Sequence, residues 1–127
     1  MIYGIGTDIV SIARMANALQ RHGARFAERI LAPGEQQGFT EAARPEHFLA
    51  KRFAAKEAAA KAFGTGFSDG LRMRDIAVTH DSRGRPLLSF SGRAEALCEE
   101  LGIGEHFLSI SDEKEHAIAY VILMRRP

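Results

Sequence analysis

The segment from Phe48 to Phe63 constrains the fold more than any other part of the chain. It reads FLAKRFAAKEAAAKAF. It is rich in alanine and lacks glycine and proline, so propensity alone favours a helix. At about 100° per residue, Leu49, Phe53, Ala60 and Phe63 share one stripe. Lys56 falls in the middle of that stripe. Glu57 and Lys61 lie together on one flank, one turn apart, and Arg52 lies on the other. A charged group on an apolar stripe is costly unless it is paired. Lys56 therefore needs a partner or an anionic ligand. The plainer reading is a helix with Glu57–Lys61 as a surface pair worth about 0.2–0.5 kcal/mol. Gly64 follows as a C-cap.

Around this helix the chain reads as mixed elements. Ile2–Val10 is a β-branched first strand, and Ser11 is the N-cap of a helix over Ile12–His22. Ile12, Met15, Ala16 and Leu19 form its apolar face; Arg14 and Arg21 lie opposite, and Arg25 would continue their line if the helix persisted. Gly23 stops it, Phe26–Leu31 is a short second helix, and Pro33-Gly34 precedes a helical turn near Glu35–Phe39. Arg74–His80 and Leu87–Phe90 form a hairpin, Gly92–Leu101 is an amphipathic helix, and Phe107–Ser111 and Ala117–Met124 form a last hairpin. The last strand is apolar throughout, which predicts a central strand buried on both faces. The expected class is α+β, a small, mostly antiparallel sheet packed with helices in one domain spanning residues 1–127.

Charge and composition exclude several functions. The 127 residues carry a formal net charge of +1, which argues against nucleic-acid binding by bulk charge. That total hides an asymmetry: residues 1–63 carry nine Lys/Arg against six Asp/Glu, and residues 64–127 carry eight against ten. The single cysteine, Cys98, excludes an internal disulfide or a cysteine-based zinc cluster. No basic residue precedes Arg14, so no secretory signal is expected. The longest apolar run, Ala117–Met124, is far short of the ~20 residues of a membrane helix. A cytoplasmic protein without membrane contact is expected.

The sequence offers no covalent nucleophile. Gly66-Phe67-Ser68-Asp69-Gly70 has the Gly-x-Ser-x-Gly spacing, but it follows a helix rather than a strand and so is no nucleophile elbow, and the five histidines show no metal-ligand spacing. The loop Gly64–Gly70 follows a helix, so it is neither a dinucleotide turn nor a P-loop. A helix C-terminus repels anions, so phosphate there needs cations such as Arg52, Lys56 and Lys61. Asp8 closes the first strand. It is either a second cap beside Ser11 or, if the strand end packs near Glu57, a hard-oxygen ligand for Mg2+.

Three stretches then carry a resemblance: Gly4-Ile5-Gly6-Thr7-Asp8-Ile9-Val10, Arg25–Leu31, and Phe48–Ala58 continuing through Lys61–Gly66. Together they resemble holo-acyl carrier protein synthase, the small bacterial type of 4'-phosphopantetheinyl transferase, in order and over nearly the whole chain. The resemblance implies that fold and its reaction, transfer of 4'-phosphopantetheine from coenzyme A to a serine of apo-acyl carrier protein in support of fatty acid biosynthesis. Adenosine 3',5'-bisphosphate is released. It implies Asp8 and Glu57 as Mg2+ ligands and Lys61 as a catalytic cation. Arg52, Lys56, Lys61, Gly64, Gly66, Pro86 and Ser111 are implied near coenzyme A. Arg14, Arg21 and Arg25 are implied as the docking face for an acidic carrier. It also implies a homotrimer with sites between subunits. Many members carry histidine where this chain has Phe107, with His106 one place early, so no imidazole role carries over. The reading from another class is a catalytically silent module that binds coenzyme A or a carrier protein.

Overall fold

The computed structural model describes residues 1–127. The elements run β1 (Ile2–Ser11), α1 (Ile12–His22), α2 (Ala24–Ile30), a 3-10 turn (Pro33–Glu35), α3 (Gln36–Glu41) and α4 (Pro45–Phe63). A second 3-10 turn (Met73–Asp75) leads to β2 (Ile76–His80), β3 (Pro86–Phe90), α5 (Gly92–Leu101), β4 (Ile103–Asp112) and β5 (His116–Arg125). All strand pairs are antiparallel, in a three-stranded sheet ordered β1-β5-β4 and a separate β2-β3 hairpin. The class is α+β, as expected. The central helix starts three residues earlier than its alanine-rich core suggests, because Pro45 occupies its first turn. Proline is tolerated there, since that N–H has no helical acceptor. Gly64, at φ 86°, ends α4 in a left-handed cap.

Helix α4 packs across β1 and β5, and glycine makes that contact possible. A Cβ on Gly4 would lie 2.1 Å from the Ala62 carbonyl oxygen, and one on Gly6 would lie 1.9 Å from that of Ala58. Small residues on both elements therefore let the two backbones nearly touch. Side chains alternate across a strand. Gly4 and Gly6 facing α4 thus put Asp8, two residues on, against the same helix. Ala117, Ala119, Val121 and Leu123 of β5 are buried on that side too.

The other face of the sheet is open. Cross-strand rows place Ile5, Ile122 and Phe107 together, and Ile9, Ile118 and Ser111 together. Ile9 is 63% exposed and Phe107 49%. Strand β5 is central, as its composition predicts, but the single chain buries only one of its faces. The apolar run reflects a second face that other parts of this chain leave uncovered. Cys98 is half-buried on α5, and burial pushes its thiol up to about 11, so it remains a neutral packing group.

Candidate active site

Helix α4 carries two chemically distinct flanks. Phe53, Glu57 and Lys61 follow one another at i,i+4 and look toward the end of β1. With Asp8, Arg14 and His116 they line a cleft of about 650 Å³. Lys61 Nζ donates to the Thr7 carbonyl at 3.0 Å and to Asp8 Oδ1 at 3.1 Å. Lys61 thus pairs with Asp8 rather than forming the surface pair with Glu57. The Glu57 carboxyl is raised above the usual range, first by burial and then by the charge of Asp8, with Lys61 opposing. A carboxylate whose ionisation is made costlier by a neighbouring carboxylate marks a place where a cation is favourable. Magnesium takes one or two carboxylates and completes its shell with water and phosphate oxygens. The donor set of Asp8 and Glu57 fits that requirement.

The opposite flank of α4 lines a second cleft, of about 460 Å³. Phe48, Lys51 and Arg52 form one wall, and His80, Gly84 and Pro86 of the β2-β3 hairpin form another. The His80 imidazole is held below its usual range by burial and then by the charges of Arg52 and Lys51. Ile110 and Asp112 complete the lining, and the two cations Lys51 and Arg52 outnumber that one carboxylate, so the cleft suits an anion. Arg52 stacks on Phe48, with Cζ 3.8 Å from the ring centre.

Lys56 requires a correction. It faces neither cleft and binds no external phosphate: its side chain is 0% exposed. Its Nζ donates to Glu35 Oε1 at 2.6 Å, to the Ile30 carbonyl at 2.7 Å and to the Met73 carbonyl at 3.1 Å. Those three acceptors exhaust the ammonium donors. Burial presses Lys56 toward its neutral form, and the Glu35 carboxylate resists. Of the two needs written into the apolar stripe, the buried partner is the one met.

The remaining expected residues are dispersed. Gly64 and Gly66 adopt left-handed conformations in the loop after α4, and the Gly66 N–H returns to the Ala60 carbonyl at 3.2 Å. Neither lines the two clefts. Ser111 lies on the exposed outer face of the sheet, opposite Ile118. Arg21 and Arg25 surround a separate recess with His22, Phe26 and Arg29, whereas Arg14 belongs to the Asp8 cleft. His106 meets Phe90 edge to face with ring centres 5.0 Å apart, and burial lowers its pKa. Sequence reasoning missed Glu35, Lys51, His80, Asp112 and His116. Lys51, next to Arg52, was the one with a signal, since it extends the cationic flank by a single residue.

Residues 4–121 match the family model described as the 4'-phosphopantetheinyl transferase superfamily. The chain is 58% identical over 124 residues to the holo-acyl-carrier-protein synthase of Halorhodospira halophila, with 98% of each chain covered. The structure is similar to that of holo-acyl-carrier-protein synthase from Neisseria meningitidis, with TM-score 0.94 and 45% identity, covering 98% of this chain and 100% of that one. It is also similar to the Bacillus anthracis synthase in complex with coenzyme A (3',5'-ADP), with TM-score 0.83 and 38% identity, covering 99% of each chain.

Proposed function

The chain belongs to the 4'-phosphopantetheinyl transferase superfamily, and on that premise we propose that its two clefts serve one reaction on coenzyme A. The enzyme is a holo-acyl carrier protein synthase. It transfers the 4'-phosphopantetheine of coenzyme A to a serine of an apo-acyl carrier protein. The serine hydroxyl gives up its proton, which is released in net to water, and a bond forms between the serine oxygen and the phosphorus of the arm. The bond from that phosphorus to the bridging oxygen breaks, and adenosine 3',5'-bisphosphate leaves. The nucleophile belongs to the carrier, which accounts for the absence of one here. The observation that carries the site assignment is the meeting of Asp8, Glu57 and Lys61 in one cleft.

In this reading Asp8 and Glu57 hold Mg2+, which neutralises pyrophosphate charge and polarises the phosphoryl oxygens when bound. Lys61 adds a cation, already held near the reacting groups by Asp8 and the Thr7 carbonyl. Phosphoryl transfer needs mainly positioning and charge stabilisation, and this cluster offers both. The second cleft receives the nucleotide end, with Arg52 and Lys51 as cations and Pro86 in its wall, and Ser111 faces the neighbouring subunit. The reaction is tested by mixing the protein with apo-carrier, coenzyme A and Mg2+ and weighing the carrier. The carrier is expected to gain the mass of one phosphopantetheine arm, and chelator is expected to stop the gain. A carrier of unchanged mass, or a gain indifferent to chelator, overturns the reading.

The assembly follows from the open sheet face. Its exposed isoleucines and aromatics form the kind of apolar patch that marks an interface. We propose a homotrimer built on that face, so that the first cleft of one chain adjoins the second cleft of its neighbour. Sedimentation equilibrium is expected to give a trimer, and Phe107→Glu a smaller species with reduced turnover. A fully active monomer would exclude shared sites.

The basic residues of α1 and α2 fit an acidic carrier. Arg14 lies at the cleft mouth, and Arg21 and Arg25 extend the positive surface away from it. Arg21→Glu is expected to raise the KM for carrier by roughly tenfold and to leave that for coenzyme A unchanged, because charge across an interface steers partners. Equal rises in both would argue against the docking face. The single transferase domain over residues 1–127 is proposed to work in the cytoplasm, and no helix is long and apolar enough to cross a membrane.

A further inference from the structure

Glu35 lies in the 3-10 turn between α2 and α3, away from both clefts, yet it is the most heavily engaged carboxylate in the molecule. Its side chain is 2% exposed. Oε1 accepts from the Ala32 N–H at 2.8 Å and from Lys56 Nζ at 2.6 Å. Oε2 accepts from the Val78 N–H at 2.9 Å and lies 3.1 Å from Arg52 Nε. The Arg52 contact is an ion pair without hydrogen-bond alignment, and this buried Nε has no other acceptor. Glu35 is therefore the one group that fixes the inner edge of the Arg52 guanidinium.

Two of these contacts act on the same cleft from opposite walls. Arg52 is on the α4 wall. Val78 is in the middle of β2, the strand that delivers His80 to the hairpin wall. A guanidinium is planar, so holding Nε and stacking one face on Phe48 leaves its outer edge with one orientation. The third partner, Lys56, offsets part of the cost of a buried anion. A buried charge meeting backbone donors, a cation and a wall residue is more than packing requires.

We propose that Glu35 is a positioning residue for the cleft of Arg52 and His80, presetting the Arg52 guanidinium and the hairpin spacing for the anionic nucleotide end of coenzyme A. This rests on the functional reading above. Preorganisation of this kind lowers the cost of binding rather than of chemistry. Glu35→Gln keeps the shape and loses the charge that holds Arg52. It is expected to raise the KM for coenzyme A and the Kd for adenosine 3',5'-bisphosphate by roughly tenfold, with kcat within about twofold.

The test is a double-mutant cycle of Glu35→Gln and Arg52→Gln, read by carrier mass kinetics and by calorimetry with adenosine 3',5'-bisphosphate. If Glu35 acts through Arg52, the Glu35 change adds little once Arg52 is gone. Independent effects, or equal losses in kcat and in both KM values, assign Glu35 to the scaffold alone and overturn the inference. If Glu35→Gln does not fold, Glu35→Gln with Lys56→Met removes both buried charges and still frees Arg52, so the same measurements decide. A wild-type protein that neither modifies carrier nor binds the bisphosphate would defeat the functional reading itself. A competent wild type with an unaffected Glu35 variant defeats only the positioning role.

Discussion

Glu57→Gln is expected to abolish transfer and, without metal, to make the protein more stable at neutral pH. Both effects come from one carboxylate. Burial and the charge of Asp8 raise the pKa of Glu57 in the folded chain. A carboxyl whose folded pKa lies above its unfolded value favours folding at low pH, and that contribution is lost as pH rises through the raised pKa. Glutamine has no such loss. The variant should therefore melt higher than wild type near neutral pH, and the advantage should vanish toward acid, where Glu57 is protonated in both states. Turnover should fall by roughly 10³-fold, because a metal at the transferring phosphate contributes several kcal/mol to the transition state. Asp8→Asn should lose as much turnover without the stability gain, since Lys61 then loses its carboxylate. Melting curves with and without Mg2+ complete the test: metal should raise the wild-type midpoint and move neither variant. Turnover within tenfold of wild type in either variant would remove that residue from the metal site.

Gly6→Ala should be the most damaging single methyl group in the chain. The new Cβ would lie 1.9 Å from the Ala58 carbonyl oxygen and 2.8 Å from the Ala62 nitrogen. Both are backbone atoms of α4, so no rotamer change relieves the contact. The helix must lift from β1 or the strand must bend. A cost of about 3 kcal/mol is expected for such overpacking. Activity should fall further than stability, because the displacement separates Asp8 from Lys61. Gly34→Ala is the control: no atom lies within 4 Å of its Cβ position, and the change should stay within about 0.5 kcal/mol. Urea unfolding of the two variants measures the difference. Equal midpoints would show that close backbone contact does not hold α4 in place.

What the sequence revealed followed from what each inference required. The flanks of α4 needed only the helical period, so Arg52 and Glu57 were correctly set on opposite sides before any tertiary contact was known. The demand of Lys56 for a partner was equally plain, because a charge on an apolar stripe announces its own cost. The identity of that partner was hidden. Glu35 sits in an irregular turn, where no periodicity says which way a side chain points. The meeting of Asp8 with Glu57 depends on how a strand end packs on a helix, and spacing along the chain does not encode that. One signal was present and unused: Gly4 and Gly6 share Asp8's side of the strand, and paired small residues facing an alanine-rich helix mark where backbones come closest. For β5, an apolar run correctly indicated a central strand, but one chain has too few elements to cover both of its faces.

That uncovered face has a consequence for how the molecule comes into being. A newly made chain carries Ile5, Ile9, Ile118, Tyr120 and Phe107 into water before any copy is near. Its edge strands β1 and β4 flank this apolar surface, and edges of that kind pair readily with the wrong neighbour. On the proposed trimer, the vulnerable interval lasts until another copy covers this face. Yield in a cell should therefore depend on the rate of synthesis and the crowd of nascent chains around it, as well as on how well each chain folds.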